Sequence, residues 1–243
     1  MDILKLRDWY RTPTGHTVRR TLQPYFNKIW PNVAGKQILV VGYGCPYIGL
    51  TQREAHVYCA MLGEMGVMHW PNGQQNRSFM TWASELPLPD NFFDHILIIH
   101  GLEFCESAEK MLHECQRVLK DDGSILTIVP NRNSPWSRRE ISPLAKGHPY
   151  SANQLHKIIR NTNLIPIHTE YALFTPPTRQ KWILKASSTF EQTGKHIFTL
   201  LGGFLIMEAQ KDLYAGSVIK PGIKKRYTVP TPATSTTYSR NSK

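Results

Sequence analysis

The stretch Gln37-Ile-Leu-Val-Val-Gly-Tyr-Gly-Cys-Pro-Tyr-Ile-Gly49 decides the fold of this 243-residue chain. Its first glutamine is followed by four apolar residues, three of them β-branched, which is typical of a strand buried on both faces of a parallel sheet. Gly42 and Gly44 come next, and a turn without Cβ atoms lets the backbone approach a ligand closely. A helix after that turn would direct unpaired N–H groups at the same place. Alone, the glycine pattern fits either a ligand loop or an ordinary strand-to-helix turn.

The size and composition of the chain indicate one large domain with short additions at its ends. Hydrophobic residues make up 41% of the sequence, which is enough for a substantial core. No apolar run approaches the roughly 18 residues of a membrane span, and the N-terminus lacks the apolar core of a signal peptide. The four cysteines show neither C-x-x-C spacing nor the density of a disulfide scaffold. We therefore expect a cytoplasmic protein without a metal site.

The net charge of +11 is concentrated at the two ends of the chain. Residues 1–36 contain seven Lys or Arg and two Asp, residues 213–243 contain six Lys or Arg and no acid, and residues 37–212 contain sixteen of each sign. A basic face on the folded body would be a stronger indication of nucleic acid than basic ends are. The distribution of charge therefore argues against a nucleic-acid partner.

Strands that alternate with helices predict an α/β fold with a doubly wound, mostly parallel sheet. The predicted strands are 37–41, 56–61, 78–82, 95–100, 124–129, 164–172 and 204–210. The predicted helices are 2–10, 16–30, 47–55, 107–119 and 152–160, with further helical residues up to about Leu201. Residues 66–70 compete with 56–61 for the second strand, and the content of strand-forming residues favours 56–61.

These elements predict three regions: an N-terminal helical cap (1–36), a Rossmann-like domain (37–212) and a basic, disordered tail (213–243). We expect the two cap helices to cover one edge of the entrance to the ligand site. Ligands of doubly wound sheets bind outside the carboxyl ends of the strands. The segments predicted to surround that crevice are Gly42–Tyr47, the residues after Met61, Trp82–Glu85 and His100–Glu103.

Residues Leu86 to Asn131 contain a recognisable series of motifs. L-P-L-P-D-N-F-F-D-H-I is followed by Leu102-Glu103, then by L-H-E-C-Q-R-V-L-K-D-D-G-S-I-L, and then by V-P-N. The series resembles the central half of class I S-adenosylmethionine-dependent methyltransferases of the type 11 kind, and the likeness extends over about residues 14–212. It implies a seven-stranded sheet with an antiparallel last hairpin, S-adenosyl-L-methionine as cofactor, and methyl transfer as the reaction.

The cofactor motifs are degenerate in four places when compared with that family. Val40 stands where an acidic residue usually precedes the first glycine, and Pro46 stands where a third glycine is usual. Met61-Leu62 replaces the acid that normally holds the ribose hydroxyls, with Glu64 close behind it. Trp82 replaces the Asp that commonly meets the adenine amino group. Fewer carboxylates than usual would therefore meet the cofactor.

The resemblance also implies a set of site residues. The expected cofactor contacts are Gly42, Tyr43, Gly44, Met61, Trp82, Ala83, Ser84, His100 and Gly101. Core packing is the alternative role for Met61 and for Trp82. His100 ends the fourth strand and is the candidate catalytic base or substrate-orienting group, with a purely structural histidine as the alternative.

The loop after the fifth strand is the candidate acceptor-covering segment, through His148-Pro-Tyr150. Its surroundings are locally basic because Arg132, Arg138, Arg139, Lys146, Lys157 and Arg160 face a single acid, Glu140. An anionic substrate, a lipid surface and a plain solvated face all fit such a composition.

Three functions fit the sequence as a whole. The first is a methyltransferase acting on a small molecule, since no nucleic-acid recognition module is visible. The second is a non-catalytic relative that binds a ligand or serves as a scaffold. The third, less favoured, is a nucleic-acid methyltransferase whose basic ends attract polyanions. Methyl transfer needs alignment above all, and a base only where the acceptor must lose a proton, so the lack of an obvious dyad excludes none of them.

Overall fold

The computed structural model describes residues 1–48, 55–140 and 142–213. The strands are β1 (Gln37–Gly42), β2 (His56–Leu62), β3 (Ser78–Thr81), β4 (Phe93–Ile99), β5 (Leu119–Pro130), β6 (Leu164–Ala172) and β7 (Phe204–Lys211). The α-helices are α1 (Ile3–Tyr10), α2 (Pro13–Ile29), α3 (Cys45–Ile48), α4 (Ala108–Val118), α5 (Ala152–Asn161), α6 (Lys181–Lys185) and α7 (Ser187–Ile197). Short 3-10 turns occupy Pro135–Arg138, Pro143–Ala145 and Thr199–Leu201.

All seven strands belong to one sheet, in the order β3-β2-β1-β4-β5-β7-β6. The first five strands pair in parallel, whereas β7 runs antiparallel to both of its neighbours. Residues 38–41 of β1 are at most 1% exposed, as expected of a strand covered on both faces. The predicted doubly wound, mostly parallel seven-stranded fold with an antiparallel last hairpin is therefore confirmed.

The sheet differs from the prediction at the start of β5. Asp121-Asp122-Gly123 falls between the predicted helix 107–119 and the predicted strand 124–129, yet it lies inside a strand that already begins at Leu119. Phe93 of β4 pairs with Leu119 of β5, and the next paired residues are His95 and Ser124. The stretch of β5 between these two pairs is longer than that of β4, so its extra residues form a bulge. The two aspartates are exposed, and Gly123 is needed because a Cβ there would lie 2.8 Å from the carbonyl oxygen of Asp94.

Other boundaries agree with the sequence pattern or shift by a few residues. β2 occupies 56–62, so the competing strand at 66–70 is wrong. Ser151 caps α5 through a full capping box with Gln154. α3 begins at Cys45, two residues earlier than predicted, and the part of the predicted helix at 49–54 lies outside the described residues. The predicted disordered tail, apart from Leu213, lies outside them as well.

The two N-terminal helices share the hydrophobic core of the sheet. α1 crosses the carboxyl ends of the parallel strands, since its Ile3 N–H donates to the carbonyl of Met65 (2.9 Å) beyond β2 and its Tyr10 reaches the end of β4. α2 extends toward the opposite ends, where the Trp30 indole donates to Ser124 Oγ at 2.9 Å. Among the described helices, none combines the length and apolar character that crossing a membrane requires.

Candidate functional site

The glycine turn after β1 is packed tightly against the end of β4. Gly42 has a φ of +93°, and a Cβ at this position would lie 2.4 Å from the carbonyl oxygen of Ile99. The N–H of Tyr43 donates to that same oxygen at 2.8 Å. A Cβ on Gly44 would lie 2.5 Å from Val40 Cγ1. Both glycines are therefore required by close packing within the protein, and this packing fixes the turn beside the residue that follows β4.

His100, the residue after β4, lies at the centre of a buried chain of polar side chains. The Tyr47 hydroxyl donates to the Tyr10 hydroxyl at 2.6 Å, and the Tyr10 oxygen lies 2.7 Å from His100 Nε2. On the other side of the ring, His100 Nδ1 lies 3.1 Å from Glu103 Oε1. All four side chains are at most 4% exposed. Three separate elements, α1, α3 and the β4–α4 connection, thus supply one continuous hydrogen-bonded array.

The direction of these hydrogen bonds follows from the state of the tyrosines. Burial raises the pKa of Tyr10 and the pKa of Tyr47 well above their ordinary value, so both hydroxyls carry a proton at neutral pH. The Tyr10 hydroxyl already accepts from Tyr47, so its own proton is donated to His100 Nε2. His100 Nδ1 then carries the ring proton and donates it to Glu103, an assignment made from the network of partners.

Glu103 has one carboxylate oxygen that is buried and unpaired within the described residues. Its side chain is fully buried, and Oε2 has no hydrogen-bond partner there, while Oε1 faces His100. A buried carboxylate without full pairing is costly, so this oxygen is suited to a positively charged ligand group. The amino and sulfonium groups of S-adenosyl-L-methionine carry positive charge, so the Glu103 carboxylate is chemically compatible with this cofactor.

Trp82 forms an open aromatic platform at the end of β3. Its side chain is 61% exposed, and its six-membered ring lies against Gly63, where an added Cβ would be 3.1 Å away. Thr81 Oγ1 donates to the carbonyl of Glu85 at 2.9 Å and holds the turn in which Ala83 is buried and Ser84 is exposed. The exposed indole face is suited to stacking against a planar ring.

The packing of the sheet determines the positions of two other residues that were expected at the cofactor, Met61 and Gly101. Met61 is completely buried, and its sulfur accepts a hydrogen bond from the N–H of Met68 at 3.3 Å. Its side chain thus belongs to the core, which is the alternative that the sequence left open. Gly101 lies against β1, where an added Cβ would be 3.3 Å from the carbonyl oxygen of Val41.

The loop before α5 lies along the residues that follow His100. The N–H of His148 donates to the carbonyl of Glu103 at 2.8 Å, and the Tyr150 hydroxyl donates to the carbonyl of Leu102 at 3.0 Å. A groove of about 430 Å³ next to it is lined by Arg132, Lys157 and Tyr150, among others. The predicted acceptor-covering segment is thus held against the backbone of the candidate site.

Tyr10 was not among the residues predicted for the site, and Tyr47 was predicted only as the last residue of the crevice segment Gly42–Tyr47, with no contact assigned to its side chain. Tyr10 lies on the buried face of α1 together with Ile3 and Leu6, and this pattern predicts only core packing. The sequence did contain one indication of a polar role for Tyr10, because a tyrosine hydroxyl on a buried helix face must find a polar partner. Its partner, His100, is 90 residues away in the sequence and is brought near only by the fold.

Comparison with known proteins agrees with this architecture. The family model described as a methyltransferase domain matches residues 41–127. The ubiquinone/menaquinone biosynthesis C-methyltransferase UbiE of Yersinia pestis is 40% identical over 77 residues, which cover 31% of this chain and 28% of that protein. The UbiE of Escherichia fergusonii is 37% identical over 83 residues, or 34% and 30% of the two chains. The matched region thus spans less than a third of the length of these curated relatives.

Solved structures extend the likeness in fold to most of the chain. An S-adenosylmethionine-dependent methyltransferase from Mesorhizobium loti superposes with a TM-score of 0.56 at 15% identity, covering 78% of this chain and 97% of the other. A geranyl diphosphate C-methyltransferase from Streptomyces coelicolor A3(2), solved with S-adenosyl-L-homocysteine, has a TM-score of 0.54 at 15% identity and covers 78% of both chains. Residues 41–127 thus match the family model of a methyltransferase domain, and the chain has the fold of S-adenosylmethionine-dependent methyltransferases.

Proposed function

We propose that the protein transfers a methyl group from S-adenosyl-L-methionine to a small-molecule acceptor in the cytoplasm. The observation that carries the proposal is the buried Tyr47–Tyr10–His100–Glu103 array with its unpaired carboxylate oxygen. It lies at the carboxyl ends of β1 and β4, where sheets of this type bind their ligands. The methyltransferase-domain match over residues 41–127 supports the same chemistry.

The cofactor would be held by backbone and aromatic groups more than by carboxylates. Gly42, Tyr43, Gly44, His100 and Gly101 would offer backbone at the two strand ends, and Trp82 with Ala83 and Ser84 would wall the adenine. Glu103 would face positive charge on the cofactor. When bound, S-adenosyl-L-methionine supplies a methyl carbon already activated for displacement. The protein then has to align the acceptor and exclude water, and α1 provides such a cover.

His100 would take up the acceptor's proton wherever the acceptor must lose one. Its Nε2 is bonded to the Tyr10 hydroxyl, so the proton would travel in two linked steps. The acceptor's proton passes to the Tyr10 oxygen as the Tyr10 proton passes to Nε2, and Glu103 stabilises the resulting imidazolium through Nδ1. His100→Ala should then lower turnover about 100-fold or more with an acceptor that loses a proton. Unchanged turnover would remove His100 from the mechanism.

A small organic acceptor is supported by what the relatives are named for. The Yersinia protein is a C-methyltransferase of ubiquinone and menaquinone biosynthesis, and the Streptomyces protein was solved with geranyl diphosphate. Both names describe small molecules that carry or consist of an isoprenoid group. Screening isoprenoid and quinone-type acceptors with labelled cofactor is therefore the direct route to the acceptor of this chain.

Calorimetry with S-adenosyl-L-methionine and S-adenosyl-L-homocysteine tests cofactor use. We expect both to bind, Trp82→Ala to weaken binding by about tenfold through lost stacking, and Met80→Ala to leave binding unchanged. Met80 is 58% exposed on β3, two residues before Trp82, and is a matched control for loss of exposed apolar surface. Mass spectrometry of the purified protein would detect cofactor that remains bound.

A non-catalytic ligand-binding or scaffold protein is the second candidate. The observation that favours it is that α1 places the Tyr10 side chain, which is 4% exposed, at the end of β4. The departures of Val40, Pro46, Met61 and Trp82 from the family pattern point the same way. Absence of binding by either cofactor form up to millimolar concentration would reject the enzyme in favour of this candidate.

A further inference from the structure

An exposed apolar ridge begins at the last residue of α7. It consists of Ile197, Phe198, Leu200 and Leu201, which are 64%, 56%, 59% and 43% exposed. Single exposed apolar side chains are ordinary on protein surfaces, but four within five consecutive residues form a continuous patch. Such a patch marks a surface that is covered by something else during function.

The ridge lies at the same edge of the sheet as the candidate site. Asn131, directly after β5, donates from Nδ2 to the carbonyl of Leu200 and to the carbonyl of Gly202, each at 2.8 Å. Phe204 begins β7 just after the ridge, and its ring centroid is 6.1 Å from that of His100. A surface docked on the ridge would therefore be next to the entrance of the crevice.

The charge around the ridge is positive. Between residues 174 and 203 the basic residues are Arg179, Lys181, Lys185 and Lys195, and the one acidic residue is Glu191. The Glu191 carboxylate accepts hydrogen bonds from the N–H groups of Leu173 and Phe174, so it is directed toward the backbone and away from a docking surface. This balance is complementary to an anionic surface.

A groove with two lysines borders the ridge. Thr199, within the ridge segment, lines a groove of about 410 Å³ together with Lys28 and Lys195. The Lys195 ammonium lies 4.6 Å above the Tyr25 ring, and Lys28 is ion-paired with Glu170. Ammonium groups beside an apolar ridge are arranged as in interfacial segments, in which lysines meet phosphate headgroups while apolar side chains enter the acyl boundary.

We propose that the ridge docks the protein on an anionic lipid bilayer surface. The four apolar side chains would enter the boundary between headgroups and acyl chains, and the surrounding lysines would contact the phosphates. Trp182, 70% exposed on the neighbouring α6, is a residue type enriched at membrane interfaces. This inference goes beyond methyl transfer and holds whichever acceptor the site accepts.

Cosedimentation of the full chain with lipid vesicles tests the proposal. One set of vesicles contains phosphatidylcholine alone, and the other contains three parts phosphatidylcholine to one part phosphatidylglycerol. We expect about tenfold stronger binding to the anionic vesicles, and a loss of about tenfold or more for the variant Phe198→Ser/Leu200→Ser. The variant Val67→Ser/Met80→Ser removes two apolar side chains of similar exposure elsewhere and should bind as the parent does.

A second variant separates lipid contact from loss of structure. Lys181→Glu/Lys185→Glu should abolish the preference for anionic vesicles while its thermal melting matches that of the parent, because both lysines are exposed. Vesicle binding that is unchanged in the Phe198→Ser/Leu200→Ser variant would overturn the proposal and assign binding to the basic residues 214–243. A dimer that this variant dissociates, without vesicle binding by the parent, would overturn it in favour of a second copy of the chain.

Discussion

A buried carboxylate lies at each end of the neighbouring strands β1 and β4, and the two carboxylates differ in how completely they are hydrogen-bonded. At the amino ends, Asp94 accepts hydrogen bonds from the Gln37 N–H (2.9 Å), Lys120 (3.0 Å) and Lys36 (3.3 Å). At the carboxyl ends, Glu103 has one oxygen near His100 and the other unpaired within the described residues. His100 also has a φ of +51°, a conformation that non-glycine residues rarely adopt.

From this difference we infer that the Asp94 end serves stability, and we propose that the Glu103 end serves a ligand. Asp94 is satisfied by its own fold, whereas Glu103 is buried with spare hydrogen-bonding capacity beside a strained backbone. Unsatisfied polar atoms and strained residues concentrate at functional sites because the remaining structure maintains them at a cost. The comparison is open to four tests, which follow from the largest expected effect to the smallest.

The largest effect is expected from Gly42→Ala, compared with Gly35→Ala at the other end of β1. Both glycines have positive φ, so each alanine carries a backbone penalty of about 1 kcal/mol. A Cβ on Gly35 meets no atom of the described residues within 4 Å, but a Cβ on Gly42 would lie 2.4 Å from the Ile99 carbonyl oxygen. We therefore expect Gly42→Ala to lower the free energy of unfolding by about 4 kcal/mol or to prevent folding.

Urea unfolding of the two glycine variants measures this difference. Equal losses of about 1 kcal/mol would mean that the turn relaxes away from β4, and that the two ends of β1 tolerate substitution alike. A large loss only at Gly42 would show that the turn is fixed against the end of β4.

The second effect is expected in ligand affinity, from Glu103→Gln. A neutral amide retains an acceptor for His100 but removes the charge that would face a cationic ligand. We expect S-adenosyl-L-methionine to bind about 10- to 100-fold more weakly, which corresponds to the contribution of one charge-assisted hydrogen bond. Because the substitution relieves a buried and incompletely paired charge, the unfolding midpoint without ligand should stay the same or rise.

Calorimetry and melting of Glu103→Gln give the two readouts separately. A fall in the unfolding midpoint with unchanged cofactor affinity would make Glu103 a structural residue like Asp94. That result would remove the contrast between the two ends of the strands.

The sequence predicted the strands well because their signals are local. β1 and β4 are runs of apolar residues between turn-forming residues, and the series of motifs from Leu86 to Asn131 includes β4 and β5. The start of β5 was missed because Asp121-Asp122-Gly123 has the composition of a turn. Only the bulged pairing with β4, which depends on contacts between distant residues, allows the same stretch to lie inside a strand.

The candidate site was predicted only in part, because some of its residues carry local signals and others are brought in by contacts between distant residues. His100 is marked as the last residue of a predicted strand and the glycine turn by its position after one, whereas the hydroxyls of Tyr10 and Tyr47 join them through tertiary contacts. Met61 follows the strand pattern into the site region but turns its side chain into the core, where its sulfur meets the Met68 N–H. Strand ends can be located from sequence, but the direction of a side chain at a strand end depends on packing.

The third effect concerns Asp94 and pH. Burial alone would raise the pKa of Asp94, but hydrogen bonds from the Gln37 N–H, Lys120 and Lys36 lower it to about 2. The unfolded value is about 3.9, so this stabilisation is complete above pH 4 and is lost as the pH falls toward 2. Asp94→Asn should therefore reduce the free energy of unfolding by about 2 kcal/mol at pH 7.

Urea unfolding of Asp94→Asn and the parent at several pH values checks the sign. The difference between them should shrink steadily below pH 4, and cofactor affinity should be equal at pH 7. A difference that stays constant with pH would mean that the carboxylate charge contributes nothing at this end of the sheet.

The smallest effect is expected from Tyr10→Phe, which tests whether the array at the carboxyl ends acts as a unit. Removing the hydroxyl takes the donor from His100 Nε2 and the acceptor from Tyr47, so we expect a loss of about 1 kcal/mol in the free energy of unfolding. The double variant Tyr10→Phe/Tyr47→Phe should lose less than the sum of the single variants, because Tyr47 has already lost that partner in Tyr10→Phe. Strictly additive losses would mean that the two tyrosines stabilise the fold independently. Sub-additive losses, measured by urea unfolding, would show that α1 and α3 are connected to His100 through a single chain of hydrogen bonds, unlike the separate contacts that surround Asp94.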